Sequence, residues 1–122
     1  MSDMFIKSGE QPRYFAFNGV NSTAETRASA PIYKESPYGT FQAIVTGADL
    51  ATVSATVLIQ VTNEADTFNG AKSNWITMGT ITLAGTTTAT DGFTTVCPWR
   101  YVRANVTAVA GTGANVETIM GV

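Results

Sequence analysis

Two stretches of the chain alternate strictly between apolar and polar residues. Residues 52–63 place valine, alanine or isoleucine at nearly every second position, and residues 99–109 alternate in the same way. Successive side chains on a β-strand point to opposite faces, so each stretch predicts a strand with one apolar and one polar face. The residues that we expect to face a shared core are Val53, Val57, Ile59, Val61, Val102, Ala104 and Val106.

Shorter alternating or aromatic stretches surround these two, and no helical pattern lasts three turns. The predicted strands are residues 13–17, 31–34, 40–46, 52–63, 75–83, 93–96, 99–109 and 114–120. Short strands separated by turn signals are typical of sandwiches, jelly rolls and barrels. We therefore predict an all-β fold, an antiparallel, jelly-roll-like β-sandwich of about eight strands, and assign residues 13–122 to one domain.

Glycine and proline positions predict the connections between these strands. Asp91-Gly92 ends a stretch of small and polar residues and indicates a hairpin turn, whereas Met78-Gly79 indicates a bulge inside a strand. The loop at residues 110–113 predicts a hairpin between the strands on either side. Residues 64–74 form a long polar loop of the kind that often carries function.

Residues 1–12 show neither a strand period nor a helical period, although they contain Phe5 and Ile6. We predict that they form an extended arm whose two apolar side chains pack on a neighbouring subunit. The arm does not match a secretory signal, and no run of about 18 apolar residues predicts a membrane helix. We therefore expect the protein to be made and folded in the cytosol, without contact with a membrane.

The composition argues against several classes of function. Hydrophobic residues make up 44% of the chain and charged residues only 13%, with a formal net charge of −2. This balance lacks the basic surface that nucleic-acid binding requires. A weakly charged surface repels neighbouring proteins poorly, which suits a protein that packs against others.

Residues that commonly carry catalysis or bind metals are scarce. The chain has no histidine, so the commonest general base and metal ligand is missing. Its one cysteine, Cys97, precedes a proline in an apolar stretch and is interpreted as a buried, inert thiol. Asp66 and Asn69-Gly70 fit no calcium-loop spacing. We therefore expect no enzymatic activity, no cofactor and no metal.

One group of residues has two interpretations. Trp99, Tyr101 and Arg103 occupy alternate positions on the polar side of the last long stretch, and Trp75 is a candidate neighbour. We expect the second sheet to cover this side, with Arg103 paired to a carboxylate or to loop carbonyls. The alternative is an aromatic surface that binds a sugar ring or a partner's side chain.

A resemblance to known proteins rests on two stretches of the chain. They are Trp-Ile-Thr-Met-Gly-Thr at residues 75–80 and Pro-Trp-Arg-Tyr-Val-Arg-Ala-Asn-Val at residues 98–106. Together with Asp-Gly-Phe-Thr-Thr between them, they resemble small β-rich virion proteins of tailed bacteriophages. The Trp…Gly-Thr and Tyr-Val-Arg pieces are also similar to discoidin-type jelly-roll domains, which bind carbohydrate or lipid head groups.

The first resemblance implies a capsid decoration, or cement, protein on the virion surface. Such a protein stabilises neighbouring major capsid subunits, and its partners are the major capsid protein, copies of itself, or both. The candidate partner-binding residues are Phe5, Ile6, Tyr33, Tyr38, Trp99, Tyr101 and Arg103. The alternatives are a carbohydrate-binding module of a phage tail or receptor-binding structure, and an assembly factor absent from finished particles.

Overall fold

The computed structural model describes residues 14–16, 22–23, 26–29, 31–33, 37–64 and 74–121. Throughout these ranges the regular structure consists of strands, which form two antiparallel sheets without a helix. The predicted all-β class is therefore confirmed, and the arrangement is compatible with a β-sandwich. The predicted arm at residues 1–12, with Phe5 and Ile6, lies outside the described residues.

Strand lengths fall into two groups. Four segments have two or three residues: β1 (Tyr14–Ala16), β2 (Ser22–Thr23), β3 (Arg27–Ala28) and β4 (Ile32–Tyr33). Six strands have seven or more: β5 (Tyr38–Thr46), β6 (Thr52–Thr62), β7 (Ile76–Thr86), β8 (Thr88–Val96), β9 (Tyr101–Ala110) and β10 (Asn115–Gly121). The described strands thus differ in number from the expected eight.

Each sheet has the same plan. The first sheet has the order β1-β10-β5-β8, and β2 pairs with the half of β10 that β1 leaves uncovered. The second has the order β3-β9-β6-β7, and β4 pairs with β9 beside β3 in the same manner. Both sheets therefore carry an interrupted short strand at one edge and a long strand, β8 or β7, at the other.

The predicted core is confirmed. All seven residues expected there from alternation have no measurable solvent exposure. They join one buried cluster with residues of the first sheet, including Phe41, Val45, Val116 and Met120. Burying an aliphatic or aromatic side chain contributes about 1.5–3 kcal/mol, so this cluster is the main source of stability. Cys97 is also buried within it, as predicted.

The chain crosses between the sheets at Thr87. In the sequence, this residue lies within the stretch of small and polar residues that ends at Asp91-Gly92. Thr87 separates β7 from β8 and has a positive φ of 66°. Its amide donates to the Ala51 carbonyl, and its carbonyl accepts from the Gly47 amide, both at 2.7 Å. These bonds hold Thr87 against the β5–β6 connection. The β5–β8 pair and the β6–β7 pair are thus two halves of one folded ribbon.

Two predicted hairpins are wrong. Asp91-Gly92 lies inside β8, with Gly92 opposite Gln42 of β5, because Thr87 already makes the turn. The loop at residues 111–114 joins β9 of the second sheet to β10 of the first, so these strands are not paired. Local turn signals do not distinguish a hairpin from a crossing between sheets.

The predicted bulge in the 75–83 strand is confirmed. The β6–β7 register shifts between Ile59 and Gln60, where Met78 of β7 has no partner. The adjacent Gly79 also lies under the ring of Phe93, whose Cζ would be 2.5 Å from a Cβ at that position. Glycine is therefore favoured here by the close approach of the ring as well as by the bulge.

Candidate functional site

Exposed apolar side chains concentrate at one end of the two sheets. Tyr38 and Val96 are register partners at the end of the first sheet and are 62% and 63% exposed. Ile76 and Tyr33 lie at the same end of the second sheet and are 53% and 51% exposed. We call these four residues the apolar end. The large exposed apolar residue described at the opposite end is Leu50, in the β5–β6 connection.

Strand directions explain why residues distant in sequence meet there. β5 and β7 begin at this end, whereas β6 and β8 finish there. Tyr33 is the register partner of Tyr101 at the start of β9, and their rings meet edge to face with centroids 5.7 Å apart. The antiparallel pairing therefore brings exposed apolar side chains of four strands to the same end, with Tyr38 and Val96 on the outer face of the first sheet and Tyr33 on the outer face of the second.

Beside the apolar end, the outer face of the second sheet carries a stacked cation. The Arg103 guanidinium lies 4.4 Å from the centroid of the Trp75 ring, and its Nε donates to Gln60 Oε1 at 2.8 Å. A cation over an indole face is stabilised by the ring quadrupole. These two contacts fix the guanidinium while leaving its terminal nitrogens unengaged by the described residues.

The Gln60 side chain forms hydrogen bonds with three neighbouring residues, one of which is Arg103. Its side chain is 8% exposed, its Nε2 donates to Thr77 Oγ1 at 3.3 Å, and its Oε1 also accepts from Asn105 Nδ2 at 3.5 Å. A buried amide needs such partners because desolvating it without hydrogen bonds is unfavourable. We call Gln60, Trp75, Thr77, Arg103 and Asn105 the Arg103 cluster.

Burial also affects the charge of the cluster. Desolvation lowers the pKa of Arg103 from its ordinary value. An arginine starts so far above neutrality that it stays protonated at pH 7. The cluster therefore presents a permanent, oriented positive charge on an otherwise hydroxyl-rich face.

Glu64 positions Trp75 for this stacking. The Glu64 carboxylate accepts hydrogen bonds from the Asn74 amide and from Asn74 Nδ2, the latter at 3.3 Å. The Glu64 amide donates to Thr62 Oγ1 at 3.2 Å. These bonds connect the end of β6 to the residue before Trp75. Sequence reasoning missed this role, because an acid at the start of a polar loop carries no signal that separates it from an ordinary solvated charge.

The predicted site residues are only partly brought together. Tyr33, Tyr101 and Arg103 share the outer face of the second sheet, and Tyr38 lies at the same end of the first sheet. Trp99 does not belong to this row, because β9 begins at Tyr101 and Trp99 packs partly buried against the core. Phe5 and Ile6 lie outside the described residues.

We expected the facing sheet to cover the side of β9 that carries Tyr101 and Arg103, and this expectation is wrong. Val102 and Ala104 point into the core, so Tyr101 and Arg103 point away from it. Among the described residues, Arg103 contacts the Gln60 amide and the Trp75 ring instead of the expected carboxylate or loop carbonyls. Sequence reasoning also missed Gln60, whose one signal was a polar residue in the most apolar strand.

The described residues do not bring potential metal ligands together. They contain no group of three or more cysteine, aspartate or glutamate residues placed to hold a metal ion. The candidate calcium residues Asp66 and Asn69 lie outside them. Nor do they include a helix with the length and apolarity needed to span a membrane.

Comparison with known proteins adds no relative: no family model matches the chain, and no curated protein or solved structure matches it significantly.

Proposed function

We propose that the chain folds as an eight-strand jelly roll. The proposal counts β1 with β2 as one interrupted strand and β3 with β4 as another, which gives the sheet orders 1-8-3-6 and 2-7-4-5. Strand 1 then pairs with 8, 2 with 7, 3 with 6 and 4 with 5, as in a single long ribbon wound up on itself. Jelly rolls of this kind are common in viral capsid and lectin domains.

We further propose that the protein is a non-enzymatic virion structural protein, a capsid decoration protein that binds neighbouring major capsid subunits on the virion surface. The observation that carries this proposal is the apolar end. Exposed apolar patches mark interaction sites on soluble proteins, and tyrosine is enriched at the energetic centres of interfaces. Its residues come from both sheets, so a partner that contacts all four covers this end of the molecule.

The outer faces of the sheets support the same proposal. Exposed threonines line both long edge strands, at Thr80, Thr82, Thr86, Thr88, Thr90 and Thr94. A neutral hydroxyl surface can lie against another protein without burying unpaired charges, which would be unfavourable. A protein that must pack closely among capsid subunits needs this property, and it needs no cofactor.

A carbohydrate-binding module of a tail or receptor-binding structure is the second candidate. It is favoured by the exposed Tyr33 ring beside Tyr101, on a face that also carries the Gln60 and Asn105 amides. Aromatic rings next to amide groups suit the apolar face and the hydroxyls of a sugar. A glycan array separates the candidates, because only this function predicts a ligand that is lost on Tyr33→Ala.

The capsid contact is tested with particles of the encoding phage that lack this protein. We expect the double variant Tyr38→Ser/Val96→Ser to bind them at least tenfold more weakly than the unmodified chain. Each lost apolar side chain removes about 1.5–3 kcal/mol of burial, and 1.4 kcal/mol corresponds to a factor of ten. Binding is measured by co-sedimentation over a range of protein concentrations.

The matched control for that experiment is Leu50→Ser, which removes a 78% exposed apolar side chain from the opposite end. Leu50→Ser is expected to bind like the unmodified chain. If Leu50→Ser weakens binding and the double variant does not, the contact lies at the wrong end of the molecule and the proposal fails.

A further inference from the structure

The two outer faces of the molecule carry opposite charges, Arg103 toward the apolar end of the second sheet and Glu117 toward the opposite end of the first. On the first sheet, Glu117 of β10 is exposed and points away from the core, since Val116 and Thr118 on either side of it are buried. On the second sheet, Arg103 of β9 occupies the equivalent outward position. The charged groups therefore lie on opposite sides of one molecule and cannot pair within it.

Glu117 is accompanied by apolar side chains. Its register partner on β5 is Ile44, and Ile119 follows on the same face of β10. Both isoleucines are only half-buried, although they lie in the middle strands of the sheet. No described residue hydrogen-bonds the Glu117 side chain. This face thus combines two half-buried isoleucines with a carboxylate that no described residue hydrogen-bonds.

The opposite face has complementary features. Leu58 of β6 is half-buried beside Asn105, and the Arg103 guanidinium is held in place by Gln60 and Trp75. Its terminal N–H groups have the geometry to bind a carboxylate in a bidentate manner. Because the side chain is already oriented, little further side-chain entropy is lost on binding.

We propose that the occupant of each face is a second copy of the chain. The outer face of the first sheet in one copy packs on the outer face of the second sheet in the next, with the Glu117 carboxylate bound by the Arg103 guanidinium. Charge favours this arrangement, since only unlike faces bring an arginine and a glutamate together. Sheets stack readily face to face, about 10 Å apart.

The contact uses two different surfaces, so it is heterologous. Such a contact leaves one face of each type open in a dimer and continues until a ring closes or a filament forms. We therefore expect assemblies larger than a dimer in solution. The proposal is independent of the capsid function, because it requires only the purified chain.

The test uses charge reversal followed by restoration. Arg103→Glu and Glu117→Arg are each expected to raise the dissociation constant of self-association at least tenfold, because each places like charges together. The double variant Arg103→Glu/Glu117→Arg restores the opposite pair and should recover association. Masses are measured by sedimentation equilibrium over a concentration series, and thermal melts establish that each variant is folded.

Asp49→Arg and Arg100→Glu are the matched controls, since both reverse an exposed charge outside the two faces. Neither should change the mass distribution. A chain that remains monomeric at high concentration would overturn the proposal. So would a closed dimer that is insensitive to both reversals, or a double variant that associates no better than the single ones.

Discussion

Val57→Asp is expected to abolish folding. Val57 has no solvent exposure and lies between Ile81 and Val106 in the centre of the second sheet. The substitution removes about 1.5–3 kcal/mol of apolar burial and adds several more kcal/mol for an unpaired carboxylate in the core. A domain of this size has only about 5–15 kcal/mol of stability. Circular dichroism should show no cooperative melting transition.

The neighbouring residue supplies the control. Thr56 precedes Val57 on β6, but its side chain points to the outer face, where it is half-buried. Thr56→Asp should therefore fold and melt cooperatively, because its carboxylate reaches water. If Val57→Asp melts like Thr56→Asp, the assignment of faces along β6 is incorrect.

Gly92→Val should destabilise the domain strongly, although strand propensity alone predicts the opposite sign. Valine normally favours strands, and glycine weakens them. At this position, however, a Cβ would fall on the backbone carbonyl oxygen of Phe41 and 3.2 Å from the Gln42 Cα. The clash is with backbone atoms of β5, so it can be relieved only by separating β5 from β8.

Overpacking of this kind typically costs about 1–3 kcal/mol, which corresponds to a fall in Tm of roughly 4–15 °C. Differential scanning calorimetry provides the measurement. Thr94→Val is the matched control, since Thr94 lies two residues further along β8 and is exposed. It should change Tm by no more than about a degree or two, as is usual for an exposed surface substitution. A stabilised Gly92→Val variant would show that β5 and β8 are not closely paired at this position.

The features that could be predicted from sequence are those with a local physical cause. Alternation along β6 and β9 arises from the two-residue period of a strand, so it identified the buried residues correctly. The bulge at Met78-Gly79 was predictable because glycine weakens a regular strand and is favoured where the strand bulges or another group approaches closely.

The connections could not be predicted because their cause is not local. Thr87 is neither glycine nor asparagine, yet it adopts a positive φ because hydrogen bonds to Gly47 and Ala51 hold it. Likewise, the glycines after β9 permit a turn but do not specify whether the chain stays in the same sheet. Such choices depend on the packing of the whole domain.

The candidate site was predictable only as a set of residue types. Tyr101 and Arg103 were recognised as a pair on one face from their spacing. The partners that organise them, Gln60 and Glu64, come from another strand and from the start of a loop. Gln60 stood out in the sequence as a polar residue in an apolar strand. Its hydrogen-bond partner Arg103, however, could not be predicted without knowing that β6 pairs with β9.

The most direct test of the proposed capsid function is the copy number of the protein in purified virions, measured by quantitative mass spectrometry against the major capsid protein. A decoration protein covers the capsid surface, so we expect hundreds of copies per particle. A few to dozens of copies would place the protein at the tail or portal instead. Its absence from finished particles would contradict a virion role altogether.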